Sequence, residues 1–157
     1  MNEAKTNVMR ILEQRKIPYT AHEYAHGEEA VDGMTVAALL GRDPSSIYKT
    51  LVTQGASGVF YVFVIPVDRE LQLKKAARAA GEKSIQMIPV SQITPLTGYV
   101  RGGCSPVGMK KLFPTFFEAA VLSLDTVTVS AGKIGAQIEL APRDLLALVR
   151  GKTAELV

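Results

Sequence analysis

The sequence has 157 residues, of which 47% are hydrophobic and 21% charged, a composition that excludes a mainly disordered chain and suits one globular domain. Its net charge of +3 fits contact with a phosphate backbone, although many proteins without nucleic-acid partners share such a charge. The single cysteine, Cys104, excludes an intramolecular disulfide and favours a reducing compartment.

The N-terminal segment does not have the pattern of a secretory signal. It is charged and helix-like, without the apolar stretch and small-residue cleavage site of a signal peptide. The longest apolar run, residues 59–65, is far too short to cross a membrane. We therefore expect a cytoplasmic protein.

The first half of the chain predicts two helices and three strands. Thr35 is expected to cap the second helix and Gly41 to end it, while Ile17-Pro18 ends the first. The predicted helices cover residues 3–16 and 36–40, and the predicted strands cover 19–24, 47–52 and 59–65. The last two strands are expected to form a hairpin, because only a short Gly- and Ser-containing turn separates them.

The second half predicts a similar mixture around a long loop, residues 98–108. Gly81 is expected to end one helix, and Pro142 to lie in the first turn of another. The predicted helices cover 73–80, 91–97 and 142–149, and the predicted strands cover 84–88, 115–117, 126–130 and 137–140. Strands with peripheral helices and no linker predict a single α+β domain over residues 1–157.

Lys49 is the first candidate for chemistry. Alternation along the strand places it on the same face as Ile47 and Leu51. A lysine between two aliphatic side chains either extends its ammonium to solvent or is held where the cation is useful, because dehydrating a charge is costly. If the strand faces the other way, Lys49 is an exposed edge lysine.

The loop over residues 98–108 is the second candidate. Adjacent Gly102 and Gly103 would let main-chain N–H groups approach an anion or a carbonyl closely. It is not a phosphate-binding Walker loop, because Met109 stands where that motif requires lysine. A tight turn before Lys110-Lys111 explains the same residues.

The sequence gives little support for a nucleophilic cysteine or for a metal site at the two histidines. Cys104 would need a neighbour that stabilises its thiolate, and no spacing shows that His22 or His26 comes close. The two histidines are four residues apart in strand-like or loop sequence, where that spacing does not make a metal pair. We expect a buried cysteine, surface histidines, and no metal or cofactor.

A second glycine-rich turn, residues 130–135, lies between two predicted strands and is explained by a hairpin. Its Lys133, together with the pairs Lys74-Lys75 and Lys110-Lys111, would be able to contact a phosphate backbone. Solvated surface lysines explain each of them equally well.

Taken in order along the chain, these segments resemble a known family. They are Tyr48-Lys49-Thr50-Leu51, Leu73-Lys74-Lys75, Thr97-Gly98-Tyr99, Gly102-Gly103-x-Ser105-Pro106-x-Gly108 and Ser130-x-Gly132-Lys133-x-Gly135. The chain resembles the YbaK/EbsC family of Cys-tRNA(Pro) deacylases, which is related to the editing insertion of bacterial prolyl-tRNA synthetases. The resemblance implies a mixed, barrel-like β core with peripheral helices.

The resemblance also implies an activity. Prolyl-tRNA synthetase sometimes attaches cysteine to tRNA(Pro), and an apolar pocket rejects so similar a molecule poorly, so a second site removes it. In this family the thiol of the misattached cysteine is thought to attack its own ester carbonyl, releasing a cyclic thiolactone and free tRNA. The implied partners are aminoacyl-tRNA(Pro) and, more loosely, prolyl-tRNA synthetase.

The resemblance assigns roles to individual residues. The essential lysine of the family corresponds to Lys49, which would hold the substrate and stabilise developing charge. Its glycine-rich loop corresponds to residues 102–106, with amides expected near the substrate carbonyl or the terminal ribose. The implied substrate-binding residues are Tyr24, Thr50, Gly102, Gly103, Ser105, Pro106, Ser130 and Gln137. Cys104 is not expected to be the nucleophile, since relatives tolerate an aliphatic residue there.

Gln137 departs from the family pattern. Cys-specific relatives have an aspartate seven residues after the serine, where this chain has Gln137. A carboxylate would pair with the α-ammonium group of the substrate, and charge-assisted bonds are about twice as strong as neutral ones. Either Glu139, two residues further on, replaces the aspartate, or the amino-acid preference differs.

Three other functions remain open at this point. One is a deacylase for another small amino acid, such as alanine, on tRNA(Pro). Another is a catalytically inactive accessory module that binds tRNA or the synthetase, and a third is a regulatory protein that binds a small molecule. Lys49 together with Gly102-Gly103 favours an enzyme, whereas the change at Gln137 favours loss of activity.

Overall fold

The structure, a computed structural model, describes residues 5–157. The helices are α1 (Asn7–Gln14), α2 (Gly33–Leu40), α3 (Leu73–Ala80), α4 (Ile93–Thr97) and α5 (Pro142–Val149). The strands are β1 (Thr20–Glu23), β2 (Tyr48–Gly55), β3 (Phe60–Pro66), β4 (Ile85–Met87), β5 (Thr115–Glu118), β6 (Val127–Lys133), β7 (Ala136–Leu140) and β8 (Lys152–Ala154). The expected α+β fold class is confirmed.

The strands form two sheets. One is antiparallel with the order β1-β7-β6, and the other has the order β4-β2-β3-β5-β8 with parallel pairs around β5. The predicted β2–β3 hairpin is present and pairs Lys49 with Ile65 and Leu51 with Phe63. A bridge between Ile47 and Thr128 links the two sheets.

The main core lies between the two sheets. It joins Val62 and Val64 of β3 to Val129 and Ile138 of the three-stranded sheet, with side chains of α1 and α5 also packed into it. A second cluster covers the opposite face of β3, where Phe63 and Ile65 pack against α3. Within residues 5–157 no helix combines the length and apolar character needed to cross a membrane.

Local signals fixed most helix ends. Gly81 has φ of +71° and ends α3 at the predicted residue, because a left-handed C-cap favours glycine. The expected cap of α2 was wrong: Asp32, not Thr35, is the N-cap, and its carboxylate accepts the Thr35 N–H at 3.0 Å. Strand β8 was not predicted from the sequence.

Candidate active site

A cavity of about 1030 Å³ opens between the two sheets, and we call it the large cavity. Its walls come from Tyr24 just after β1, the segment 28–33, α2, β2, loop residues 100–102 and 104, and the β6–β7 hairpin. A volume of this size suits a ligand as large as a drug molecule or a nucleoside derivative.

Six of the nine residues predicted for the site line the large cavity. Register explains part of this convergence, because Ser130 on β6 pairs with Gln137 on β7, so that both side chains lie on one face of the sheet. The six residues are Tyr24, Lys49, Thr50, Gly102, Ser130 and Gln137. They are distant in sequence, and the fold brings them together.

Three residues in the wall of this cavity each have a buried polar atom without a hydrogen-bond partner among residues 5–157. These atoms are Tyr24 Oη, Thr50 Oγ1 and Gln137 Oε1. Leaving a buried polar group unpaired costs about 1–3 kcal/mol, so native proteins rarely do so without a reason. A bound molecule that pairs with these atoms would remove this cost.

Lys49 supplies a cation to the same cavity. It is half-buried and, as expected from alternation, shares its face of the sheet with Leu51. Its ammonium makes no hydrogen bond or ion pair with residues 5–157. A cation in this wall can bind a charged or strongly polar oxygen of a ligand, because charge-assisted hydrogen bonds are stronger than neutral ones.

Close packing requires glycine at both adjacent positions, and only Gly102 lines the large cavity. Gly102 lines the large cavity with φ of +84°, and a Cβ there would lie 2.5 Å from Ala30 Cβ. A Cβ on Gly103 would lie 2.9 Å from Lys133 Cα, and its N–H already donates to Val100 O at 3.0 Å. Gly103 does not line the cavity, so the expectation that its amide faces the substrate is corrected.

Ser105 and Pro106 are also off the cavity wall, because the loop turns into the core after Cys104. Ser105 is fully buried, and its Oγ accepts the N–H of Val107 at 3.3 Å. Pro106 lines a separate cavity of about 180 Å³ beside Phe113. Both residues shape the loop rather than the large cavity.

Tyr99 fixes this loop against the three-stranded sheet. Its hydroxyl donates to Val107 O at 2.5 Å, and its N–H donates to Thr97 Oγ1 at 3.0 Å. Its ring takes the space beside Gly132, where a Cβ would lie 3.1 Å from Tyr99 Cε1. One tyrosine thereby ties the loop to β6, which carries Ser130.

Cys104 lines the large cavity as a protonated thiol. Burial raises its pKa to about 11, and a hydrogen bond with Thr97 offsets only part of this effect. The thiolate, not the thiol, is the nucleophile, so Cys104 is poorly suited to attack at neutral pH.

The Glu139 carboxylate already has three hydrogen-bond partners. It lies 2.8 Å from His22 Nε2 and 2.5 Å from Arg42 Nη2, and it accepts a further hydrogen bond from Thr126. Burial alone would raise its pKa, but the hydrogen bonds from Thr126, Arg42 and His22 outweigh burial and hold the pKa at about 2. Glu139 does not line the large cavity, so the alternative in which it replaces the family aspartate is wrong.

The histidines and lysines noted in the sequence have separate surroundings. His26 Nδ1 donates to Gly27 O at 2.7 Å, so it and His22 have different partners. Lys75 lies 3.5 Å from Glu155 on the far side of the fold, and Lys110 donates to Pro95 O at 3.4 Å. Lys74, Lys111 and Lys133 are exposed, as solvated lysines are.

Sequence reasoning missed several residues of the cavity wall. Met87, Val90 and Val100 line it while remaining about half exposed, which gives the opening an apolar side. Glu28 and Glu29 add carboxylates from the segment after β1. No periodicity or motif marks these residues, because they reach the cavity from irregular segments and strand ends.

Comparison with known proteins places this site in context. The family model described as the aminoacyl-tRNA editing domain matches residues 28–148. The candidate Cys-tRNA(Pro)/Cys-tRNA(Cys) deacylase EbsC of Enterococcus faecalis is 46% identical over 154 residues, covering 98% of this chain and 94% of EbsC. Proline–tRNA ligase of Shouchella clausii is 27% identical over 99 residues, covering 63% of this chain and 17% of the ligase.

A solved structure has a similar fold over the same length of chain. It is described as a candidate trans-editing enzyme for prolyl-tRNA synthetase. It superposes on this chain with a TM-score of 0.81 and 26% sequence identity, covering 98% of each chain. Both the sequence and the architecture therefore match over nearly the whole chain.

Proposed function

The chain belongs to the aminoacyl-tRNA editing domain family, and from this premise we propose that it is a trans-editing deacylase that removes cysteine from mischarged Cys-tRNA(Pro). The similarity to EbsC and to part of proline–tRNA ligase supports tRNA(Pro) as the carrier. Association with prolyl-tRNA synthetase and a location in the cytoplasm remain predictions.

One observation carries the proposal. The wall of the large cavity combines the half-buried cation Lys49 with the buried polar atoms of Tyr24, Thr50 and Gln137, and none of these groups has a partner among residues 5–157. An aminoacyl ester offers a carbonyl oxygen that becomes negative during reaction, and an amino group and ribose hydroxyls that donate hydrogen bonds. These groups complement what the cavity leaves unpaired.

The proposed reaction uses the thiol of the substrate. Its sulfur attacks the ester carbonyl, forming a carbon–sulfur bond while the bond from the carbonyl carbon to the ribose oxygen breaks. The thiol proton ends on that ribose oxygen, and the products are free tRNA and a cyclic thiolactone that water later opens to cysteine. An intramolecular attack of this kind needs orientation more than a protein nucleophile.

The residues have distinct roles in this scheme. Lys49 stabilises the charge that develops on the carbonyl oxygen. Tyr24, Thr50 and Gln137 orient the aminoacyl group and the ribose, and Ser130 supports this wall by accepting the Gly132 N–H at 3.1 Å. The raised pKa of Cys104 supports an attack by the substrate, since the thiol of the protein stays protonated.

The test is deacylation of tRNA(Pro) charged with cysteine, serine or alanine by the purified protein. Cys-tRNA(Pro) should be cleared far faster than the other two, because serine weakens and alanine removes the internal nucleophile while the fit in the cavity scarcely changes. The thiolactone should be detected before free cysteine accumulates. Clearance of Ala-tRNA(Pro) with Cys-tRNA(Pro) left intact would contradict the proposal and assign an alanine deacylase that uses an attacking water.

A further inference from the structure

Three carboxylates line the large cavity among residues 5–157. They belong to Glu28, Glu29 and Asp32, all in the segment between β1 and α2. Asp32 is occupied as the cap of α2: one carboxylate oxygen accepts the Thr35 N–H at 3.0 Å, and the other accepts the Thr35 hydroxyl at 2.9 Å. Glu28 and Glu29 are exposed, and neither makes a hydrogen bond or ion pair with a described residue.

The segment that carries these two residues is packed against the loop of the site. A Cβ on Gly102 would lie 2.5 Å from Ala30 Cβ, so Ala30 and Gly102 are in direct contact. Ala30 immediately follows Glu29, so this contact holds the backbone of the segment beside the loop, and Glu28 and Glu29 both line the cavity.

A second observation, two buried polar atoms without partners, points to a polar ligand group in this cavity. The Tyr24 side chain is only 8% exposed and that of Gln137 only 6%, yet Tyr24 Oη and Gln137 Oε1 have no partner in the described structure. Both groups are neutral. They can accept hydrogen bonds from an ammonium group but cannot balance its charge, and the nearby carboxylate Glu139 is already saturated outside the cavity.

We propose that Glu28 and Glu29 supply the negative charge that binds the α-ammonium group of the aminoacyl substrate, while Gln137 and Tyr24 accept its hydrogen bonds. This inference rests on the proposed function and names a specificity-determining pair within the same site. A charge-assisted contact is about twice as strong as a neutral one, which favours a free amine over a blocked one.

The experiment compares two ligands in binding and in turnover. The binding probes are an amide in which cysteine is joined to 3′-amino-3′-deoxyadenosine, and the same compound with an acetylated α-amino group. The turnover substrates are Cys-tRNA(Pro) and its N-acetylated form. The proteins are the unmodified chain, the variant Glu28→Gln/Glu29→Gln, and that variant with Gln137→Asp added.

The unmodified protein should bind the free amine at least tenfold more tightly than the acetylated probe. The double variant should lose most of this preference, with the loss in turnover appearing in KM rather than kcat, because uniform binding is removed. Adding Gln137→Asp should restore the preference by placing a carboxylate near the same amine. A matched control, Glu70→Gln/Asp125→Asn, removes two exposed charges outside the cavity and should leave the preference unchanged.

An unchanged preference in the Glu28→Gln/Glu29→Gln variant would overturn the inference, as would equal binding of the two probes to the unmodified protein. The binding arm separates this failure from that of the proposed function. Preference for the free amine without any deacylation would uphold the ammonium site and reject the deacylase. Equal deacylation of Cys-tRNA(Pro) and its N-acetylated form would uphold the deacylase and reject the ammonium site.

Discussion

Gln137 and Glu139 lie two residues apart on the same face of β7, and the protein treats their polar groups in opposite ways. Glu139 has three hydrogen-bond partners from three separate segments, and its pKa is held at about 2. Gln137 lines the large cavity and is buried, and its Oε1 has no hydrogen-bond partner among the described residues.

The difference distinguishes polar groups that stabilise the fold from polar groups that are free to bind a ligand. A carboxylate saturated by Thr126, His22 and Arg42 has little capacity left for a substrate, whereas an unpaired amide oxygen has all of its capacity left. The same distinction applies to Lys75, which is ion-paired on the surface, and Lys49, which lines the cavity and has no ion pair with residues 5–157. Substitutions should therefore affect stability in one set and activity in the other.

The largest effect is expected at Lys49. Replacing Lys49 by Ala should lower deacylation by more than about a hundredfold, equivalent to roughly 2.7 kcal/mol of barrier, with little change in Tm. Lys49→Arg should also fail, because a planar guanidinium does not replace a compact ammonium in a confined site. Near-normal turnover in single-turnover assays of Lys49→Ala would remove this residue from the mechanism.

Glu139 should give the largest loss of stability. Its folded pKa of about 2 lies below the ordinary 4.5, so its contribution is complete above pH 4.5 and is lost as the pH falls towards 2. Glu139→Gln should lower the free energy of unfolding by about 2 kcal/mol at pH 7. Denaturant titrations over this pH range should also show a flatter pH dependence for the variant than for the unmodified protein.

Gln137→Met should act in the opposite sense on stability. The change keeps the length of the side chain but removes the unpaired acceptor, so the free energy of unfolding should rise by about 1 kcal/mol. KM for Cys-tRNA(Pro) should increase, since an orienting contact is lost. A fall in both stability and activity would show that Gln137 belongs with Glu139 as a structural residue.

The smallest effect is expected at Cys104. Because burial keeps its thiol protonated, Cys104→Ala should change turnover by no more than about threefold, well under 1 kcal/mol of barrier. Kinetics of the variant with Cys-tRNA(Pro) measure this directly. A loss of a hundredfold with the fold intact would instead make the protein thiol the nucleophile.

Local chemistry in the sequence was sufficient for much of the fold. The predicted bounds of α3 and α5 match the structure, because Gly81 and Pro142 set helix ends through their own backbone preferences. Strand β8 was missed because its three residues form a strand only by pairing with β5. Asp32 was missed as a cap because Thr35 has the same preference and lies nearer the apolar residues of α2.

The residues of the candidate site were harder to predict from the sequence than the helices and strands. Alternation correctly gave the face of Lys49, but nothing in its spacing connects it to Gln137 on the other sheet, and only the family resemblance joined them. Ser105 and Pro106 were assigned to the site as part of a motif, yet the loop turns inward there and buries them. Glu28 and Glu29 lie in irregular backbone that no pattern marks.

The pairing of β1 with β7 also has a consequence for the order in which the molecule is completed. His22 and Glu139, which hold these strands together, are 117 residues apart, so β1 has no partner strand until most of the chain has left the ribosome. Such distant pairings fold slowly and leave strand edges exposed in the meantime. Tyr24 immediately follows β1, so we expect it to reach the large cavity late, and this cavity to be among the last parts of a newly made molecule to form.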